Sequence, residues 1–185
     1  MALWIILGII ALLVLWFIAM YNGFIKARIK IDNSWSDINV FLKKRFDLIP
    51  NLVNTVKGYA AHESQTLERV VAARNAAASV PAGNVGQVAQ ANRTLDGALR
   101  GLLAVAESYP DLKANQNFLE LQKALQEVEG DLGNARRYYN ATVRDYNTSI
   151  EQFPGVLIAN MGGFTKREFF ELEDAAQARN VEVKF

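Results

Sequence analysis

The sequence predicts an all-α protein: an N-terminal transmembrane helix, then an antiparallel long-helix bundle of the four-helix type, then a short C-terminal tail. Three observations carry this. The chain opens on an uncharged apolar run of membrane-spanning length. Two long segments then repeat apolar residues at alternating steps of three and four. The four prolines, Pro50, Pro81, Pro110 and Pro154, are spaced as punctuation between long helices. The expected organisation is an anchor at 1–23, a bundle at 24–153, and a tail at 154–185 that docks on the bundle or on a neighbouring subunit.

From Met1 to Tyr21 no side chain is charged. A helix needs about 20 apolar residues to cross the hydrocarbon core, and the run through Leu7 and Leu12 supplies them. Trp4 sits near one end and Trp16 and Tyr21 near the other, where indole and phenol rings favour the headgroup boundary. A cleaved signal peptide would have a basic leader, a shorter core and a small-residue cleavage site. Here no basic side chain precedes the run, and Met20-Tyr21-Asn22 is a poor cleavage site. Gly8 has leucine four residues later, so a glycine-based anchor dimer is unsupported. Lys26, Arg28, Lys30, Lys43, Lys44 and Arg45 all follow the run. The positive-inside bias then puts the bundle in the cytoplasm and the N-terminus outside, in a single-pass membrane protein.

The first seam reads Ile31, Trp35, Ile38, Leu42, Arg45, Ile49, Leu52, Val56, Tyr59, a strict heptad pattern whose one charged member is Arg45. It begins before the local capping candidates Asn33 and Ser34, so the anchor is expected to run on into this helix. Pro50 is expected to interrupt it with a kink near Phe46–Pro50. A break is expected near Gly58–Ser64, then an alanine-rich helix from Leu67 to Ala78, and a turn at Ser79–Asn84. A third apolar stripe runs from Val85 to Ala106 and ends at Ser108–Asp111. The second strict seam is Phe118, Leu121, Leu125, Val128, Leu132, Ala135, Tyr139, Thr142, Tyr146, Ser149, Phe153. Pro154-Gly155 should stop it. Val156–Met161 is expected to form a turn or two of helix before Gly162-Gly163. Phe164, Phe169, Phe170 and Leu172 read as docking residues, and Val181–Phe185 as a short strand or extended arm.

Composition excludes several chemistries. Basic and acidic residues number 20 and 19, so no global field for nucleic acid exists. Without cysteine there is no disulfide, thiolate metal site, cysteine nucleophile or lipidated cysteine. The one histidine, His62, lies beside Glu63 at the expected break, where a surface or capping role outweighs a metal or proton-transfer site. Glu120, Glu127 and Glu129 lack the paired Glu-x-x-His motifs of a di-iron bundle. No P-loop, nucleophile elbow or dinucleotide fingerprint occurs. No catalytic, metal or cofactor-binding residue is predicted.

Several ordered motifs remain: Ile31-Asp32, Trp35, Arg45-Phe46-Asp47-Leu48-Ile49-Pro50-Asn51-Leu52, Lys57–Glu63 and Ala73-Arg74. After them come Tyr109–Asn115, Ala135-Arg136, Tyr139-Asn140, Tyr146-Asn147 and Phe153-Pro154. In these the chain resembles the LemA family over nearly its whole length. The resemblance implies a small bacterial membrane protein with a hydrophobic N-terminus and an antiparallel helical domain. It implies no catalytic residue.

Arg45 at a seam position needs a partner. Asp47 is only two residues away on another face, so Glu63, Glu68, Glu127 and Asp145 are the candidates. A register-fixing pair is favoured over a ligand-binding arginine. Tyr139 and Tyr146, two turns apart, read as core rings whose hydroxyls find hydrogen bonds. The structural-motif residues are therefore Trp35, Arg45, Asp47, Pro50, Asn51, Tyr139, Asn140, Tyr146 and Asn147. The functional expectation is a non-enzymatic scaffold held in the lipid bilayer as a homo-oligomer. An adaptor or regulator binding another envelope protein, such as a sensor kinase or protease, and a small-molecule-binding module are the alternatives.

Overall fold

The computed structural model describes residues 1–170. Among them 85% of the residues are helical and no strand occurs. Six helices follow one another: α1 (Ala2–Tyr59), α2 (Ser64–Ser79), α3 (Val85–Glu107), α4 (Pro110–Lys113), α5 (Gln116–Glu151) and α6 (Gly155–Gly162). The chain forms two compact units. One comprises Met1–Lys44 and Gln126–Phe169, the other Arg45–Leu125 and Phe170.

In the first unit, α1 and α5 run antiparallel. Phe24 meets Gly155, Trp35 meets Tyr139, and Phe41 faces Asn134. The α1 side buries Phe24, Ile31, Ile38 and Leu42; the α5 side buries Leu132, Tyr139, Val143, Tyr146 and Ile150. Ser34, which precedes no helix start, is buried instead. Its hydroxyl donates to the Ile31 carbonyl at 2.8 Å and lies 3.3 Å from the Thr142 hydroxyl, so the seam closes around a small polar pair. α5 ends at Glu151, and Phe153, expected as the last seam residue, lies beyond the helix and points into solvent. Gly155 lets the chain turn back: a Cβ there would lie 2.3 Å from the Ser149 carbonyl oxygen. α6 buries Ile158 and Ala159, then stops at Gly163, whose φ of +67° lies in the left-handed region that suits glycine.

In the second unit, the last turns of α1 pair with α2 in a hairpin, and α3, α4 and the start of α5 complete the core. Ile49, Leu52, Val56, Val70, Leu95, Leu102 and Leu112 are its most enclosed aliphatic residues. Ala73 and Ala77 of α2 are buried, as expected where helices approach closely. Asn84 caps α3, accepting from the Gln87 amide at 3.0 Å. The break after α3 contains one turn of helix, α4, which Pro110 opens from the first helical position, where its missing N–H costs nothing. Asn115 then caps α5 through the Phe118 amide at 3.0 Å. Tyr59, at the end of the first seam, is exposed, and its hydroxyl accepts from the Asn115 side chain at 2.9 Å.

Pro50 does not interrupt α1, which continues to Tyr59 with the proline inside. A proline at position 50 withholds the hydrogen bond that the Phe46 carbonyl would otherwise receive. Arg74 supplies it: its Nε donates to the Phe46 oxygen at 3.2 Å. The proline thus opens a backbone acceptor that the neighbouring helix fills. The expected roles of Leu172 and Val181–Phe185 lie outside the described residues.

Replacing Arg74 with alanine should cost about 1 kcal/mol, the net worth of one such bond. In a Pro50→Ala background the position-50 amide returns, and the same change should cost much less. Denaturation followed by circular dichroism measures both; equal costs in the two backgrounds would refute the pairing.

Candidate functional site

The residues singled out in the sequence fall into three groups. Trp4, Leu7, Leu12, Trp16 and Tyr21 are all exposed along α1, and the apolar window they belong to has no residue buried in the protein. Nothing in the first unit covers this run, as expected of a surface whose solvent is lipid.

The second group lies at the C-terminal third of α1. Arg45 is buried and pairs with Asp96 of α3, a helix that supplied none of the expected partners. The side chains are 4% and 18% exposed, so Asp96 keeps some access to water while Arg45 does not. Helix spacing identifies a face, but not which other helix crosses it, which is why Asp96 escaped the sequence reading. Asp47, Pro50 and Asn51 are exposed. The Asn51 carbonyl accepts from the Thr55 hydroxyl at 2.9 Å. Glu63, at the turn beside His62, accepts from the Tyr109 hydroxyl at 3.4 Å. The Tyr109–Asn115 motif is thereby a set of turn and capping contacts.

The third group forms a ladder on α5. The Tyr139 hydroxyl donates to the Glu168 carbonyl at 2.9 Å, and the Tyr146 hydroxyl to the Thr165 carbonyl at 3.1 Å. Asn147 bonds the Arg167 backbone twice: its amide nitrogen donates to the carbonyl, and its oxygen accepts from the amide, both at 2.9 Å. Three side chains spaced along one helix thus hold an extended segment, residues 164–168, as a neighbouring strand would. Asn147 is buried and Asn140 half-buried. Trp35 packs against the same ladder, its ring 5.4 Å from that of Tyr139. Arg167 in turn reaches Asp32 of α1 at 2.5 Å, and Lys166 reaches Glu151 at 2.6 Å. The Asp32 and Trp35 motif residues therefore belong with the tyrosines, whereas Arg45 to Asn51 lie in the other unit.

Burial pushes the Tyr139 phenol up to about 12, helped by Glu168 and Asp32 and opposed by Arg167. Tyr146 is also raised by burial, against the pull of Arg167 and Arg28. Both hydroxyls are donors to carbonyls, a role that requires the proton. Beside the ladder an open cleft of about 490 Å³ runs between α1 and the end of α5, lined by Phe24, Ala27, Thr142, Tyr146 and Pro154 among others. Among the described residues no three histidine, aspartate or glutamate side chains gather as a metal would need.

Removing the carboxylate from the buried pair, as Asp96→Ala, should destabilise the second unit by about 3–5 kcal/mol, because it takes a neutralising charge from an enclosed guanidinium. Arg45→Met should cost less, since Asp96 can turn to water. A larger loss for Arg45→Met, in the same denaturation assay, would overturn that order. For the ladder, an unfolded chain loses the tyrosine proton near pH 10 and the folded one near 12. Stability contributed by Tyr139 is complete below about pH 10 and falls as the pH rises to about 12. Tyr139→Phe should therefore cost about 1 kcal/mol at neutral pH and show a shallower alkaline loss than the parent. Parallel slopes would remove the assignment.

Residues 34–185 match the model of the LemA family. Magnetosome protein MamQ 2 of Paramagnetospirillum magneticum strain AMB-1 is 26% identical over 181 residues, covering 84% of this chain and 66% of that protein. Magnetosome protein MamQ of Magnetospirillum gryphiswaldense strain MSR-1 is 25% identical with the same coverage. Protein LemA of Metamycoplasma hominis is 24% identical over 138 residues, 74% of this chain and 62% of that protein. The chain thus spans just under two thirds of the length of these relatives. With the family match running from residue 34 to residue 185, through both units and the motifs from Trp35 onward, the chain belongs to the LemA family.

Proposed function

We propose that this membrane-associated protein of the LemA type is a non-enzymatic scaffold. In this reading α1 crosses the bacterial inner membrane once, the helical units lie in the cytoplasm, and copies assemble with one another. One observation carries the proposal: the buried polar groups Arg45, Tyr139, Tyr146 and Asn147 of the family motifs bond within the chain itself. Arg45 is committed to Asp96, and Tyr139, Tyr146 and Asn147 are committed to the backbone of residues 165–168. Motif residues that hold helices and a returning segment in place are what a structural element needs. Catalysis would need convergent groups left open toward a substrate. The orientation rests on Lys26, Arg28 and Lys30, which follow the apolar run directly.

Two measurements test it. Protein extracted in mild detergent should retain a mass of several protomers on dilution in light scattering; a monomer across the concentration range removes the self-assembly. In spheroplasts, protease added outside should leave the helical units intact, and their digestion would reverse the orientation.

A further inference from the structure

Among the described residues, none covers one face of α6. Leu157 and Met161, one turn apart on α6, are 56% and 77% exposed, and Phe153, just before the helix, is 81% exposed. On the opposite face Gly155, Ile158 and Ala159 are buried. Three large apolar side chains left exposed within nine residues are unusual on a surface that meets water.

The level of this face is fixed within the first unit. Gly155, at one end of α6, packs on Phe24. Phe164, just past the other end, sets its ring edge-on to Tyr21 and Phe24, 5.3 Å from each. Both ends of α6 therefore lie beside the same turn of α1, directly after the apolar run ends at Met20. As a helix, Ala2–Met20 is about 28 Å long, against a hydrocarbon core of about 30 Å. The turn holding α6 is thus at the edge of the core. The next charges along α1 are Lys26 and Arg28, a turn or more farther from the core, and Arg28 lies over the Phe164 ring at 5.8 Å. Cations at that height meet lipid phosphates.

We infer that α6 is a second membrane contact: a short helix lying in the interface of the leaflet from which α1 emerges. Phe153, Leu157 and Met161 enter its acyl boundary, and Lys26 and Arg28 meet its phosphates. At eight residues α6 is far too short to cross the bilayer. An apolar face held flat at the boundary suits a helix that lies on a membrane. The occupant is lipid because the face continues the surface of the span itself. The inference rests on α1 crossing the bilayer and adds a contact which that crossing does not require. It would restrain the tilt of α1, since a helix gripped at its exit by a flat partner cannot lean freely.

The chain has no cysteine, so single reporters can be placed in the intact 185-residue chain. Leu157→Cys, Met161→Cys, Leu12→Cys and Glu107→Cys, each carrying an environment-sensitive fluorophore, are reconstituted in phosphatidylethanolamine–phosphatidylglycerol vesicles. Circular dichroism confirms that each retains its helices. Lipid nitroxides near the headgroup end of the acyl chain should roughly halve the emission at 157 and 161. Nitroxides near the methyl end should act at 12, and neither should act at 107. Labels at 157 and 161 that behave like the one at 107 would overturn the inference. So would shielding from an aqueous quencher that grows with protein density without lipid quenching, which would mean that a second copy covers the face. Escape of the label at 12 from the deep nitroxide would instead defeat the span, and with it the contact that depends on it.

Discussion

An apolar run that ends at Met20 and a buried seam that starts at Phe24 share one helix with no turn between them, and the first unit is built around that continuity. Backbone groups in lipid must bond internally, so the run has to be helical. Because the helix does not break on leaving the apolar run, its screw carries the choice of faces forward. Phe24, Ile31, Ile38 and Leu42 lie on one side, and α5 must come to that side. The apolar run buries nothing against the described residues, whereas the first turn beyond it is already enclosed by Phe164 and Gly155. The transition from exposed apolar run to enclosed seam takes about one helical turn.

Polar groups then choose among the arrangements that apolar side chains alone would tolerate. A seam of leucines and isoleucines can slip by a heptad at little cost; one that seats the Ser34 and Thr142 hydroxyls side by side is less free to, because slipping would set each against an apolar side chain. The Arg45–Asp96 pair does the same in the second unit at higher stakes, since its guanidinium is nearly sealed from water. Pro50 is a different device. By removing its own amide it creates a demand at the Phe46 carbonyl that Arg74 meets, tying α2 to α1 at one height. None of these contacts need add much net stability for the arrangement to be unique.

The three-and-four spacing made the helices legible because burial on a helix face is periodic and side chains record it. It located α3 and α5 to within a few residues and the turns around Pro81 and Pro154 with them. What it could not convey was pairing. Arg45 announced the need for a carboxylate, but the acid came from Asp96, on a helix whose stripe gave no hint of which face it turned to α1. The spacing also overran: Phe153 continued the arithmetic of the seam after the helix had ended, because a period has no knowledge of where a chain turns away. The Tyr139, Tyr146 and Asn147 roles were half legible. Core rings with bonded hydroxyls follow from residue type, yet their acceptors are main-chain carbonyls at 165 and 168, which carry no side-chain signature. Arg74 was legible in principle, since a helical proline always leaves an acceptor to be filled.

The ladder and α6 depend on one another through chain length. After α5 ends at Glu151, the chain has to come back alongside it to be gripped at Thr165, Arg167 and Glu168. A direct hairpin would need only a few residues. Instead the chain makes the extra excursion of α6 and returns through Phe164, wedged against Tyr21 and Phe24. The excursion places apolar residues where α1 leaves its lipid-facing run and the ladder prevents the segment from drifting away from that level. Short of this clamp, an eight-residue helix with one buried face would be marginal, since isolated helices below about 12 residues are seldom stable in water. Its position is therefore imposed from both sides, by Gly155 against Phe24 before it and by the tyrosine–asparagine grip after it. A fold seeking only compactness would have no use for exposing Leu157 and Met161 at the end of so constrained a path.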